Sequence, residues 1–189
     1  MHIAEQAQRL TVEDFLEGEP YSEVRHEFIG GVVYAMAGAS EVHNAICLNL
    51  AAALHPHLRG KACRLFMADV KVRLRIAGDD LFYYPDLMVA GDPRDTDRYF
   101  KRFPRVLIEV LSETTERTDR REKFLSYTQI ETLEEYVLVA QDRMEVTLFR
   151  RANQWQPEIL TRAELSLRLA SIDFAMPLAG IYEGVQFGR

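Results

Sequence analysis

The sequence predicts a mixed α/β (α+β) fold, in which a mixed β-sheet packs with a few helices. Segments with the apolar patterns of strands outnumber the two or three segments with helical periodicity. Residues 105–111 form an apolar run typical of a strand buried on both faces. No linker-like stretch divides the 189 residues, so we expect a single domain over residues 1–189.

The N-terminal part is predicted to contain two helices separated by a hairpin. Thr11 is a suitable N-cap for a short helix that ends near residue 17. Strand-like runs within residues 24–36 lie on either side of Gly30-Gly31, which predicts an N-terminal hairpin. Ser40 begins a longer helix that reaches about Leu58, with Pro56 among the residues that end it.

Strands are predicted to dominate the middle of the chain. Residues 64–76 end in strict alternation, which places Lys71, Arg73 and Arg75 on the wet face of a half-buried strand. Residues 81–90 read as one strand with Pro85 near its centre, and a proline there indicates an edge or a bulge. Residues 91–103 form a charged, turn-rich connection to the strand at 105–111.

One helix and several strands are predicted in the C-terminal part. The helix spans residues 114–130, with Thr114 or Thr115 as its cap. Strands follow at residues 135–140 and 144–150, and another covers about 155–160.

Composition limits the classes of function. The net charge of −6 argues against a dedicated nucleic-acid coat, which is usually basic, but it leaves room for an enzyme with acidic metal ligands. No apolar run approaches the roughly 18 residues that span a bilayer, and the N-terminus does not resemble a secretory signal, so we expect a cytoplasmic protein without a membrane partner. Cys47 and Cys63 are expected to be reduced core residues.

Two carboxylates in apolar strands are the strongest indication of chemistry. Glu109 lies within the run at 105–111, where an unpaired charge would cost several kcal/mol. Asp86 follows Pro85 and precedes another apolar run. A divalent cation between them would relieve their repulsion, and oxygen ligands suit Mg²⁺ or Mn²⁺. A buried ion pair or an edge-strand position for Glu109, and a Pro-Asp turn at Asp86, remain alternatives.

The predicted helix after this strand adds polar groups on one face. Asp119, Lys123 and Tyr127 are spaced at four-residue intervals, so all three share that face and Lys123 is within reach of the strand ends. A solvated Asp–Lys pair is the alternative. His43 lies on the face of its helix that carries Cys47, either as a hydrogen-bonded histidine at the core edge or in support of the site.

Together these motifs resemble the Uma2 family, within the PD-(D/E)XK nuclease superfamily. The resemblance covers about residues 11–185, in the family's order. It implies a restriction-endonuclease-like fold, in which helices flank a mixed central sheet, and a nuclease that depends on a divalent metal. The matching segments are His26-Glu27-Phe28-Ile29-Gly30-Gly31-Val32-Val33-Tyr34, His43, Tyr84-Pro85-Asp86-Leu87-Met88-Val89, the run from Pro104 to Ser112, and Thr115, Asp119, Lys123, Tyr127 and Glu135-Tyr136.

The resemblance also implies roles for individual residues. Asp86, Glu109 and the backbone carbonyl of Val110 would hold one Mg²⁺ or Mn²⁺, while Lys123 would position water or stabilise the transition state. Glu27 would add a carboxylate from the first hairpin. The supporting residues would be His43, Asp119, Tyr127 and Ser112. The superfamily's usual lysine, two residues after the glutamate, is replaced by Leu111, and Lys123 would supply that group from the next helix.

A basic and aromatic loop is the expected contact with nucleic acid, with DNA as the preferred substrate. Its cations would be Arg98, Lys101, Arg102 and Arg105, beside rings on which unpaired bases could stack. A solvated loop with aromatic anchors is the alternative. A homodimer is expected, because cleavage of a duplex needs two active sites.

Two other functions fit the same sequence. The first is a nuclease-like fold that serves as a binding or accessory module with weak or no catalysis, which the acidic net charge and Leu111 favour. The second is an unrelated metal hydrolase or a structural domain.

Overall fold

The computed structural model describes residues 9–112 and 119–187. Four α-helices lie within these ranges: α1 (Val12–Gly18), α2 (Glu41–Leu58), α3 (Phe124–Tyr127) and α4 (Leu178–Ile181). Thr11 and Ser40 cap α1 and α2 as predicted, since their side chains accept hydrogen bonds from the backbone N–H groups of Asp14 and His43. Short 3₁₀ turns cover Glu19–Tyr21, Arg151–Asn153 and Ala170–Ile172.

The first of the two larger sheets has five strands in the order β2-β1-β5-β4-β7. Its members are β1 (His26–Ile29), β2 (Val32–Ala35), β4 (Lys71–Ile76), β5 (Asp79–Tyr83) and β7 (Phe100–Lys101). Strands β1 and β2 form the predicted N-terminal hairpin about Gly30-Gly31, where both glycines adopt positive φ. All pairs in this sheet are antiparallel except β4 with β7.

The second sheet has six strands in the order β11-β10-β9-β8-β6-β3. Its members are β3 (Arg64–Met67), β6 (Leu87–Ala90), β8 (Pro104–Leu111), β9 (Glu135–Ala140), β10 (Val146–Arg150) and β11 (Pro157–Leu160). Strands β8 and β9 run parallel, and the other neighbours are antiparallel. The predicted mixed α+β fold, with mixed sheets flanked by helices, is therefore confirmed.

The second sheet separates two apolar clusters. On one face, Val106, Ile108 and Val110 pack with α2, α4 and the C-terminal hairpin of β12 (Ser166–Leu169) and β13 (Phe174–Pro177). On the other face, Leu107 and Leu111 pack with residues of β4, β5 and α3. Because side chains alternate along a strand, Glu109 points to the same face as Leu107 and Leu111, toward the first sheet.

Two predictions that assigned one strand to a segment were wrong. The chain passes from the first sheet to the second at Tyr84-Pro85-Asp86, so residues 81–90 form β5 and β6 rather than one strand. Residues 64–76 likewise divide into β3 and β4, which belong to different sheets. Pro85 has no N–H to donate, which favours a break in strand pairing between β5 and β6.

Lys71 and Pro56 also differ from expectation. Lys71 is buried rather than wet, with its ammonium 3.2 Å from the Tyr84 hydroxyl and above the Tyr84 ring. Arg75, by contrast, is exposed as predicted. Pro56 lies inside α2, which continues to Leu58 because a proline in the last turn removes only one backbone hydrogen bond.

Of the predicted helix at 114–130, the structure describes residues 119–130, and the helix ends at Tyr127 rather than at residue 130. Asp119–Lys123 forms a π-helical turn that leads directly into α3. Thr114 and Thr115, the candidate caps, lie outside the described residues. Within residues 9–112 and 119–187, no helix combines the length and apolar character that a membrane crossing requires.

Candidate active site

Asp86 and Glu109 meet at one end of the second sheet, where β6 begins and β8 ends. Leu87 pairs with Ile108, so the same antiparallel register places Asp86 opposite Glu109. The break at Pro85 and the end of β8 thus bring both predicted carboxylates to the wall of one cavity.

Glu109 is almost fully buried, with 3% of its surface exposed. Its Oε1 accepts a hydrogen bond from the Tyr127 hydroxyl at 3.0 Å and lies 3.3 Å from the Lys123 ammonium. Burial raises the pKa of Glu109 well above its usual range. The charge of Lys123 acts to lower this pKa, and the nearby carboxylates act to raise it. A second cation would therefore stabilise the ionised form of this carboxyl.

Lys123 is the centre of a carboxylate cluster that joins the two sheets. Its ammonium lies 2.9 Å from Glu27 of β1, 3.1 Å from Asp119 and 3.3 Å from Glu109 of β8. Burial alone would lower the pKa of Lys123, but the charges of Glu109, Asp119 and Glu27 outweigh it and raise that pKa well above its usual value. The π-helical turn brings Asp119 and Lys123 to the cluster together.

One ammonium does not satisfy these carboxylates. Within the described residues, Glu27 Oε1 and Asp119 Oδ1 are buried side-chain oxygens that accept no well-aligned hydrogen bond, although both are within ion-pairing distance of Lys123. Up to three negative charges thus surround one positive charge, with Asp86 nearby. An oxygen-rich, negatively charged site of this kind fits a hard divalent cation such as Mg²⁺ or Mn²⁺.

Asp86 is held in place from two sides. The backbone N–H of Val110 donates to its Oδ2 at 2.7 Å, and Nε2 of His43 lies 3.0 Å from its Oδ1. Burial lowers the pKa of His43, but the hydrogen bond and charge of Asp86 outweigh this and the net pKa is raised. His43 therefore contacts Asp86 directly, and its supporting role stays a prediction.

A cavity of about 520 Å³ gives access to the cluster. Its walls come from both sheets, from α2 and from the π-helical turn, and Ser112 also lines it. The predicted site residues that line this cavity are Glu27, His43, Asp86, Glu109, Val110, Ser112, Asp119 and Lys123. Tyr127 does not line the cavity, and its hydroxyl donates to Glu109 from within the apolar cluster. A sequence-predicted set spread over almost 100 positions is thus brought to one place.

The four basic residues predicted to contact substrate do not line this cavity. Lys101 is buried, and its ammonium donates to the backbone carbonyl of Asp97. Arg105 lies near the opposite end of β8 from Glu109, about 13 Å away along the strand at the usual rise per residue. Arg102 lines a separate cleft of about 420 Å³ with Arg73 and Arg75. Arg98 lies in the exposed loop before β7.

Several cavity residues were not singled out from the sequence. Cys47 lies one helical turn after His43 and faces the cavity, and burial raises the pKa of its thiol. The i, i+4 spacing of His43 and Cys47 was a signal that could have identified it. Arg25, which precedes β1, also lines the cavity, but nothing in its local sequence distinguishes it from other exposed residues.

Comparisons with known proteins show the family to which the chain belongs. The model of the Uma2 family, described as "Putative restriction endonuclease", matches residues 12–179. The uncharacterized protein slr1290 of Synechocystis sp. is 33% identical over 181 residues, which are 95% of this chain and 94% of that protein. A second uncharacterized Synechocystis protein, sll1609, is 33% identical over 171 residues, which are 88% and 93% of the two chains.

A solved structure shares the fold. It is a crystal structure from Anabaena variabilis, titled as that of "a putative nuclease belonging to DUF820". The superposition has a TM-score of 0.76 and covers 94% of this chain and 99% of that chain at 17% sequence identity. At this identity the similarity concerns the fold alone.

Proposed function

Because this chain belongs to the Uma2 family of restriction-endonuclease-like proteins, we propose that it is an endonuclease that hydrolyses phosphodiester bonds of DNA with Mg²⁺ or Mn²⁺. The observation that carries this proposal is the cluster in which Glu27, Glu109 and Asp119 surround Lys123 beside Asp86, at the wall of an accessible cavity.

The carboxylates of Asp86 and Glu109 and the backbone carbonyl of Val110 would hold the cation. Glu27 and Asp119 each have a buried oxygen without an aligned donor, so both could bind to the cation directly or through water. When bound, a divalent cation lowers the pKa of a water molecule and polarises a phosphodiester oxygen.

The chain's own groups would orient the reaction. Tyr127 and Val110 N–H fix the carboxylates of Glu109 and Asp86, and His43 holds the second oxygen of Asp86. The Lys123 ammonium, which the cluster keeps protonated, would stabilise the negative charge that develops on the phosphate. Ser112 lies at the cavity wall, where its hydroxyl could contact the substrate.

Substrate and assembly complete the proposal. The basic residues Arg98, Lys101, Arg102 and Arg105 lie outside the cavity, so they would contact the nucleic-acid backbone at a distance from the cleaved bond, and Lys101 would act by its charge because its ammonium is buried. Two copies of the chain, as a homodimer, would be needed to cut both strands of a duplex. A cytoplasmic location would give the protein access to DNA.

A cleavage assay with isosteric variants tests this function. Supercoiled plasmid and single-stranded DNA are incubated with the full chain in Mg²⁺, Mn²⁺ or EDTA. We expect metal-dependent nicking by the native protein and none by Glu109→Gln, which keeps the shape of the side chain but removes a charged ligand. Glu164→Gln, at an exposed glutamate outside the cavity, is the matched control and should cleave at the native rate. Native-level cleavage by Glu109→Gln would overturn the assignment.

A second function is favoured by one feature of the site. Lys123 already neutralises part of the cluster, and the net charge of −6 repels a polyanion, so the fold could serve as a metal-binding accessory module. Calorimetric binding of Mn²⁺ by the native protein, lost in Asp86→Ala, together with no cleavage of any nucleic acid, would select this function.

A further inference from the structure

A second group of possible metal ligands lies beside the carboxylate cluster. His43, Cys47 and Asp86 each offer a ligand atom, and the three atoms lie within 4.8 Å of one another. His43 and Cys47 are one turn apart on α2, while Asp86 approaches from the start of β6. All three residues line the cavity, so an ion that enters it can reach them.

The spacing of these atoms is close to what a tetrahedral ion requires. Bonds of about 2.0 Å to nitrogen or oxygen and about 2.3 Å to sulfur place neighbouring ligands about 3.3–3.6 Å apart. Nε2 of His43 and Oδ1 of Asp86 are already 3.0 Å apart. The three ligand atoms therefore need to move by about 1 Å to bind one ion together, and rotation of the side chains on α2 can supply this movement.

The chemistry of this set differs from that of the carboxylate cluster. A thiolate and an imidazole select Zn²⁺, Co²⁺ and similar ions, whereas Mg²⁺ requires oxygen ligands. Three protein ligands leave a fourth position open toward the cavity, as in zinc sites that bind water or a substrate.

We propose that His43, Cys47 and Asp86 form a second metal site, selective for Zn²⁺ or another thiophilic divalent cation, which shares Asp86 with the carboxylate cluster. The Cys47 thiol and Nε2 of His43 each give up a proton to solvent, and the ion takes the place of the hydrogen bond between His43 and Asp86. The site does not depend on nuclease activity, since its ligands are complete without a nucleic acid.

Cobalt spectroscopy tests this site without an activity measurement. A Co²⁺–thiolate bond gives a charge-transfer band in the near ultraviolet, so Co²⁺ is titrated into the full-length protein after EDTA treatment and removal of the chelator. We expect this band at one equivalent of Co²⁺, and we expect Zn²⁺ to abolish it by displacing the cobalt. Cys47→Ser should lose the band, and His43→Gln should weaken Co²⁺ binding.

The variant Cys63→Ser makes the test independent of whether Cys47→Ser folds. The sequence contains two cysteines, so Cys47 is the sole thiol in Cys63→Ser. A thiolate band in Cys63→Ser assigns the ligand to Cys47, and its absence there would overturn the proposal, as would a band that persists in Cys47→Ser. Glu109→Gln should retain the band, so loss of cleavage and loss of this site are read separately.

Discussion

Replacement of Lys123 by methionine removes the ammonium that three carboxylates share while keeping a side chain of similar length. Lys123 and Glu109 are 5% and 3% exposed, so water cannot easily take over the role of the lost charge. Removal of one partner from a buried charged group typically costs about 3–5 kcal/mol. We expect a loss of this size in the free energy of unfolding when no divalent metal is present.

The loss should depend on pH in a defined direction. Without Lys123, the pKa of Glu109 rises further above its value in the unfolded chain, because burial and the remaining carboxylates are no longer opposed. A carboxyl with a higher pKa in the folded state takes up a proton on folding, so stability is greatest at low pH and falls as pH rises toward the folded pKa. The deficit of Lys123→Met should therefore be smaller at pH 5 than at pH 8.

Divalent metal should partly reverse the effect. Lys123 competes with a cation for the same carboxylates, so Lys123→Met should bind Mn²⁺ more tightly than the native protein does. Mn²⁺ at 100 times its dissociation constant would add about 2.7 kcal/mol of stability. The assay is urea unfolding by circular dichroism in EDTA and in Mn²⁺, where a slope of about 2 kcal/mol/M converts the loss into a midpoint shift of about 2 M.

Lys71→Met is the matched control. Lys71 is also buried, but it contacts Tyr84 and lies outside the carboxylate cluster. Its replacement should destabilise the protein without increasing the effect of Mn²⁺. The reasoning would be refuted if Lys123→Met unfolded at the native midpoint in EDTA at pH 8, or if Mn²⁺ stabilised the two variants equally.

Two further predictions concern the stability of the fold, one at Glu135 and one at Gly91. Glu135→Gln should cost about 2–3 kcal/mol of stability in urea unfolding, because the carboxylate accepts hydrogen bonds from Ala170 N–H, Ser171 N–H and the Ser171 hydroxyl. Calorimetric binding of Mn²⁺ should stay native, because Glu135 lies three residues from the partner of Glu109 on β9. Weakened Mn²⁺ binding would contradict this prediction. Gly91→Ala should cost about 1–3 kcal/mol of stability, because a Cβ there would lie 2.5 Å from the backbone oxygen of Ala62. Gly18→Ala is the control and should be close to neutral, since a Cβ at Gly18 meets no atom within 4 Å. Equal unfolding midpoints for the two variants would contradict the close approach at Gly91.

Local signals in the sequence predicted much of the fold. The caps at Thr11 and Ser40 and the hairpin at Gly30-Gly31 depend on interactions within a few residues, so they can be read from the chain directly. The burial of Glu109 was also predictable, because apolar residues precede and follow it. The spacing of Asp119, Lys123 and Tyr127 predicted that Lys123 could reach the strand ends, and the structure places its ammonium 3.3 Å from Glu109.

Features that depend on distant contacts were not predictable in this way. The passage between sheets at Pro85 is set by which strands accept β5 and β6 as neighbours, and the local pattern is equally consistent with a bulge. Lys71 is buried because Phe15 and Tyr84 cover it, and α1 lies more than 50 residues away in sequence. The approach of Cys47 to Asp86 likewise depends on how α2 packs on the second sheet.

The position of Lys123 between Glu27 of the first sheet and Glu109 of the second has an evolutionary consequence. These ion pairs join the two larger sheets, so a substitution at any of the three residues would change the stability of the fold as well as the proposed metal site. Selection for a folded chain alone would then retain the cluster through generations in which cleavage brings no advantage. In a copy without the proposed activity, residues that serve substrate binding alone would be lost before Lys123, and the order of loss among relatives would record when that activity ended.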